Sequence, residues 1–383
     1  MSVAPHQTKP NRLGIFHLQR AVFSSVLLIL TLAVLQASAL EPVLFGPEFT
    51  FMPARGLRHK DIVNILRRHL VRGQPSGAEF TEHTKGYEDR LQFTSPNGWW
   101  LALYRDSGGW EFNTNPMTVE QFRQYSADIQ DAVFMSAANA GYLPALWQGG
   151  GHINIDMTNF KKNPLLFRNF IVDLLNHNEL FLGAFSYGAV NTDSHSLGNA
   201  QSIRLGIPGR RRLNYADLSG FLKPTLAYLD QLHVRGQLTY TKVLDQLGML
   251  DLYGSAFTFK NYDDGRLEIR AVRPQTGLDV FIRQIDLFER RLKYLEKLKR
   301  PIPFEPRVAI ARVDDEMLTP PLNPQAALRS FYIYVRESGL EWKDHRDYLW
   351  PQWRTGGDLE TFESSPWFLR RESKAKSCAS QLE

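Results

Sequence analysis

Within residues 43–51 and 90–114, apolar and polar positions tend to alternate, a period of two that predicts strands rather than helices. Segments 43–51, 90–94, 99–104 and 110–114 each read as a short strand. Pro96-Asn97-Gly98 and Ser107-Gly108-Gly109 are turn formers suited to joining antiparallel neighbours. Helical spacing enters at 61–71, where Ile62, Ile65, Leu66 and Leu70 share a face. Thr118 with Gln121 three residues later is a capping box, predicting a helix that runs to about Ala140 and stops at Gly141. Segment 152–157 reads as a strand, Asn163-Pro164 opens a helix, and 215–232 reads as another. Residues 256–260 and 266–272 flank Asp264-Gly265 and predict a hairpin. Thr276 opens a helix with Leu278, Phe281, Ile285, Phe288, Leu292 and Leu295 on one stripe, ended by Pro301. From about Arg354 the chain is polar and aperiodic, a tail in which Trp367, Phe368 and Leu369 are the candidates to dock. Strands with helices between them, lacking regular βαβ alternation, predict an α+β fold with an antiparallel sheet.

Composition adds limits. The chain of 383 residues is 43% hydrophobic and 22% charged, with a net charge of +5. That excess is mild and its acids and bases are interleaved, so no nucleic acid partner is expected. The single cysteine, Cys378, excludes an intrachain disulfide and a cysteine-built metal site.

The N-terminus has its own signature. Residues 1–40 hold no Asp or Glu; Lys9, Arg12 and Arg20 precede an apolar run over 21–35, and Ala37-Ser38-Ala39 follows. This predicts a signal peptide over 1–39, and hence a periplasmic or secreted protein. An uncleaved membrane anchor over 21–36 would leave the domain facing the same outer side. A globular domain over 40–352 and a polar tail over 353–383 complete the expected organisation.

Chemistry concentrates in strand-like segments that put acids, His or Arg at alternating positions, hence on one sheet face. Glu48 stands among apolar residues in Phe45-Gly46-Pro47-Glu48-Phe49-Thr50-Phe51, and a carboxylate buried there needs a metal, a cation or a donor. Glu111 sits among aromatics after Arg105-Asp106-Ser107-Gly108-Gly109-Trp110. His152 and Asn154 follow the run Gly149-Gly150-Gly151, where missing side chains permit close approach. Glu268 shares a face with Arg266 and Arg270.

These segments, in this order, resemble the glutamine synthetase/glutamate–cysteine ligase superfamily, in particular its amidoligase-like branch. Phe45-Gly46-Pro47-Glu48 is similar to the opening strand of the glutamine synthetase catalytic domain. Asp106 to Glu111 resembles a stretch ending in a metal-binding Glu. Gly149 to Asn154 resembles the glycine-rich strand whose His meets metal and phosphates. Ser202-Ile203-Arg204-Leu205 and Leu267-Glu268-Ile269-Arg270 are similar to phosphate-contacting segments. The resemblance spans about residues 43–300 and implies a curved, mainly antiparallel sheet with helices on one side. It also implies an ATP- and Mg2+ (or Mn2+)-dependent ligase that joins a carboxylate to an amine through an acyl phosphate. By that resemblance Glu48, His152 and Glu268 would hold one metal and Glu111 a second, while Arg204 and Arg270 would contact phosphate. Asn154, Arg266 and the cluster Arg210-Arg211-Arg212 would bind nucleotide or substrate. The partners would be small carboxylates and amines, or peptide-like material.

The sequence also departs from the family. Thr50 stands where many members carry a second Glu, the span from Arg204 to Glu268 is long, and the small N-terminal domain of glutamine synthetase is absent, which favours an amine over ammonia. Exported compartments hold little ATP, so ligase and leader fit together only in an ATP-containing organelle or host compartment. An exported metal-dependent amide hydrolase or a non-catalytic binding protein of the same fold are the alternatives. Asp193, Ser194 and His195 lie in a Gly/Asn-rich loop, where neighbours in sequence do not make a triad.

Overall fold

In a computed structural model of the chain, the described residues are 40–53, 79–85, 88–95, 97–106, 109–144, 151–177, 180, 203–204, 212–213, 215–248, 257–258, 265–269, 275–305, 324–349 and 359–379. The leader, the helix expected over 61–71, Gly149, Gly150, Arg210, Arg211 and Arg270 lie outside them. Met1–Glu41 and Pro42–Glu383 separate as two units, and the second holds all the strands and helices among the described residues. No helix among the described residues is long and apolar enough to cross a membrane.

The strands are β1 (Phe45–Pro53), β2 (Glu79–Lys85), β3 (Glu88–Thr94), β4 (Trp100–Asp106), β5 (Gly109–Thr114), β6 (Tyr142–Pro144) and β7 (His152–Asp156). Among the described residues the short β8 (Ile203–Arg204) and β9 (Arg212–Leu213) pair only with each other, and β10 (Phe257–Thr258) and β11 (Arg266–Ile269) follow. The main sheet is antiparallel and open, in the order β10-β11-β7-β1-β5-β4-β3-β2, with β6 also on β1. Two neighbours of β1 therefore come from later in the chain: β5 pairs along one edge, β7 along the other. That topology centres β1 and sets the glycine-rich strand beside it.

Alternation then sorts the side chains. Phe45, Phe49 and Phe51 of β1, Trp110 and Phe112 of β5, Ile153 and Ile155 of β7, and Leu267 and Ile269 of β11 are all buried. The intervening positions, Glu48 and Thr50, Glu111 and Asn113, His152 and Asn154, Arg266 and Glu268, share the opposite face because they meet in register across the ladders. One face of the sheet is a core and the other carries the polar chemistry.

Helices cover the apolar face. The capping box holds: Gln121 N–H donates to Thr118 Oγ1 at 3.2 Å and Thr118 N–H to Gln121 Oε1 at 2.9 Å. It opens α1 (Val119–Gln124), followed by α2 (Ser126–Ile129), a π-helical turn at Gln130–Met135 and α3 (Ser136–Asn139). Beyond β7 come α4 (Thr158–Lys162), α5 (Pro164–Asn176), α6 (Tyr215–Val234), α7 (Tyr240–Leu247) and α8 (Leu278–Glu296). Asn163 caps α5 by accepting from Leu166 N–H at 3.1 Å. The six residues of the α8 stripe are each no more than 1% exposed, a burial that contributes on the order of 10 kcal/mol before conformational entropy is counted. Phe281 of α8 meets Phe49 of β1 and Phe122 of α1 edge-on, with ring centroids 5.2 and 5.0 Å apart, the geometry aromatic quadrupoles favour.

Behind this layer a buried ionic cluster ties α5 to α8. Arg291 is 2% exposed. It donates to both carboxylate oxygens of Asp173, at 2.8 and 2.5 Å, and to Glu337 at 2.9 Å. Its guanidinium also lies over the Tyr294 and Tyr334 rings, 4.6 and 4.4 Å from their centroids. Burial alone would depress the Arg291 pKa, but the charge and hydrogen bonds of Asp173 carry it above the ordinary arginine value.

The C-terminal segment is not the loose tail expected from its polarity. After α9 (Pro324–Glu337) and α10 (Trp342–Leu349), the chain is helical again at 359–363 and in α11 (Pro366–Ala379). Phe362 and Phe368 are buried against Tyr332 and Trp342, while Leu369 is 55% exposed and does not dock. A few aromatic anchors suffice to seat a helix whose other residues are mostly polar or small, so hydrophobic periodicity is a poor guide there.

Candidate metal centre

Strand order brings Glu48, His152 and Glu268 together from β1, β7 and β11. Glu48 lies opposite His152 in the β1–β7 ladder, and Glu268 lies opposite Asn154 in the β7–β11 ladder. His152 Nδ1 sits 2.8 Å from Glu48 Oε2 and 3.0 Å from Glu268 Oε1. The three ligand atoms all lie within 4.8 Å of one another. Gly151, which directs the chain into β7, has φ of 91°, a conformation that glycine adopts without the steric cost a side chain brings. Its N–H reaches Thr50 Oγ1 at 3.3 Å, which fixes the start of the His152 strand against β1.

Asn154 steadies the first carboxylate. Its Nδ2 donates to Glu48 Oε1 at 2.8 Å and to Gly46 O at 3.3 Å. Burial would push the Glu48 carboxyl up; hydrogen bonds from His152 and Asn154, with the charges of His152 and Arg266, outweigh it and hold the pKa below the ordinary carboxylate value. Glu48 is therefore ionised at neutral pH.

These residues fit a divalent cation on three counts. A ring nitrogen carries at most one hydrogen, yet Nδ1 faces two carboxylate oxygens at hydrogen-bond distance, and a shared cation satisfies all three atoms. An octahedral ion with bonds of about 2.0–2.1 Å sets adjacent ligand atoms about 2.9 Å apart, close to the 2.8 and 3.0 Å seen here. Finally, Asn154 is 6% exposed and its Oδ1 is a buried acceptor with no hydrogen-bond partner among the described residues. Three protein ligands would leave positions open for water or substrate, as in catalytic rather than structural sites.

The remaining expected residues divide. Glu111 shares the polar face and lies opposite Thr50. It accepts from Asn113 Nδ2 at 3.0 Å and is not one of the three clustered ligands. Arg266 lies opposite Asp156 and contributes favourable charge to Glu48. Arg204 and Arg212 are directly paired in the β8–β9 ladder, whose backbone alone is described. Arg210, Arg211 and Arg270 fall outside the described residues. Asn113 was not singled out from sequence, although it lies two residues after Glu111, the spacing that put Glu268 and Arg266 on one face. Its Oδ1 is likewise buried without a partner among the described residues.

No protein-family model matches the chain, and no curated protein matches it. Among solved structures it is similar to one titled "GmaS/ADP complex-Conformation 1", at 12% identity and a TM-score of 0.39, over 86% of this chain and 72% of that one. A likeness at that level decides neither family nor activity. What stands without it is an open antiparallel α+β fold with a Glu–His–Glu cluster on its polar face.

Proposed function

We propose that the chain is an ATP-dependent carboxylate–amine ligase of the glutamine synthetase/glutamate–cysteine ligase superfamily, on its amidoligase-like branch, with Mg2+ or Mn2+ bound by Glu48, His152 and Glu268. One observation carries this reading. Three strands far apart in sequence set two carboxylate oxygens 2.8 and 3.0 Å from one imidazole nitrogen, and their motifs follow the family's order. A divalent cation there supplies charge neutralisation and polarisation of phosphoryl oxygens.

In the proposed reaction the γ-phosphoryl group of ATP passes to a carboxylate oxygen, giving an acyl phosphate and ADP. The amine nitrogen then forms the C–N bond, gives up a proton, and inorganic phosphate departs. Asn154 and Arg266 keep Glu48 ionised and oriented. Glu111, held by Asn113 at 3.0 Å, faces the acceptor side, and Arg204 and Arg270 are assigned to the phosphoryl group, whose developing charge a guanidinium stabilises. The cluster Arg210-Arg211-Arg212 is assigned to the substrate carboxylate. The acid-poor leader assigns the protein to an exported location or an ATP-containing compartment.

A second reading is an exported, metal-dependent amide hydrolase. It is favoured by Thr50 opposite Glu111, where a second Glu would have built a fuller second metal site. The test is purified protein with Mg2+, ATP and a panel of amino acids and amines. ADP release that requires both a carboxylate and an amine supports the ligase. Amide cleavage without ATP transfers the assignment to the hydrolase, and neither activity overturns both.

A further inference from the structure

The outer surface of α9 and α11 carries three exposed arginines, Arg329, Arg370 and Arg371. Among the described residues none of the three forms an ion pair. Two of them are held in place by Trp367: the guanidinium carbons of Arg329, from α9, and Arg371, from α11, each lie 5.5 Å from the centroid of its ring. A ring orders a cation at that distance without cancelling its charge. The surface is therefore a fixed positive patch rather than a fringe of paired side chains.

The neighbouring acids are turned to other partners. Glu372, the one acid of α11, accepts the Tyr332 O–H at 2.6 Å and stands 3.9 Å from Arg336. Glu363 accepts from Trp342 Nε1 at 2.8 Å and pairs with Arg346. Glu337, at the end of α9, pairs with the buried Arg291 at 2.9 Å. Exposed Glu360, in the helical turn at 359–363, offsets part of the basic excess, and α11 adds Lys374 and Lys376 to it.

The charge calls for an anionic partner, and the apolar residue beside it selects the kind. Leu369, which directly precedes Arg370, is 55% exposed. A soluble polyanion offers nothing to such a side chain. An anionic bilayer offers phosphates at its surface and an apolar boundary just beneath them, the pairing that basic helices with exposed leucine exploit. Trp367, half-buried between the two helices, belongs to the residue type that settles at headgroup level. Each Arg near an anionic leaflet strengthens binding by about fivefold, so three make a useful docking surface without an inserted helix.

We propose that this face of α9 and α11 docks on an anionic lipid bilayer, with Arg329, Arg370 and Arg371 meeting lipid phosphates and Leu369 entering the headgroup region. The surface is separate from the leader, whose apolar run is a membrane candidate of its own. It is also independent of the ligase assignment, since none of its residues belongs to the polar sheet face.

The single cysteine, Cys378, lies on α11, so a polarity-sensitive dye attached there reports on this helix whether or not the leader also binds lipid. The full chain carrying that dye is titrated with vesicles of phosphatidylglycerol and phosphatidylcholine, and with phosphatidylcholine alone. A saturable blue shift with the anionic vesicles, weakened by added salt, is expected. The triple variant Arg329→Gln, Arg370→Gln, Arg371→Gln should require at least about tenfold more anionic lipid at unchanged melting temperature. The same three positions changed to Lys should keep most of the binding, and Leu369→Ser should weaken it. No shift with anionic vesicles, an equal shift with neutral ones, a Gln variant that binds like the original chain, or a response to soluble polyphosphate with none to vesicles would overturn the proposal.

Discussion

Replacing Arg291 with Met should destabilise the protein by about 3–5 kcal/mol, the usual cost of removing one partner of a buried ion pair. The magnitude comes from the groups left unpaired. The Asp173 side chain is 3% exposed and loses hydrogen bonds of 2.8 and 2.5 Å in one step. His177 Nε2 stands 3.8 Å away, too far to replace those hydrogen bonds. The contacts of the guanidinium with the Tyr294 and Tyr334 rings, at 4.6 and 4.4 Å, disappear as well, while the Met side chain recovers part of the packing. For a unit of this size the loss corresponds to a fall in melting temperature on the order of 10 °C or somewhat less. Thermal and urea unfolding of Arg291→Met, Asp173→Leu and the double variant would measure it. The double variant should be more stable than Arg291→Met, because no buried charge then stands alone. A loss below about 1 kcal/mol for Arg291→Met, or a double variant as unstable as the sum of the singles, would refute the reasoning.

Three further outcomes are expected. The folded-state pKa of His345 lies below the ordinary value of 6.5, through burial and Arg283 against the opposing charges of Asp286 and Asp344. The unfolded chain therefore binds a proton that the folded chain refuses, so stability is full above that value and declines as pH falls through it; His345→Gln should flatten the melting-temperature profile between neutral and mildly acidic pH. Gly151→Ala places a Cβ at φ of 91°; it should cost at least about 1 kcal/mol in unfolding measurements and weaken Mn2+ binding by displacing His152. Thr50→Glu puts a second carboxylate directly opposite Glu111 on the polar face, and should add a second Mn2+ to the stoichiometry in a calorimetric titration.

Local signals were legible where the chemistry is local. The Thr118–Gln121 box, the Asn163 cap and the α8 stripe depend on residues within a turn or two of each other, and they fall where the spacing placed them. Alternation likewise put Glu48 and Thr50, or His152 and Asn154, on one face of a strand. It does not say which strands become neighbours. The β7–β1–β5 order joins residues about a hundred positions apart, and that pairing is what makes the Glu48–His152–Glu268 cluster. The expectation that these residues meet came from the family resemblance. Short or charge-rich elements escaped: β2 reads Glu-Phe-Thr-Glu-His-Thr-Lys, with little to distinguish it from a loop. The C-terminal helix hides its docking side in Trp367 and Phe368 among arginines and lysines. The buried polar side chains His345 and Asp286 carry no sequence signal, since nothing local marks them for burial.

Anomalous X-ray diffraction from crystals soaked in Mn2+ tests the metal centre most directly. A peak is expected within coordination distance of Glu48, His152 and Glu268, lost in Glu268→Gln crystals. A bound ion elsewhere on the chain with none among these side chains, or an unchanged peak in the variant, would contradict the assignment.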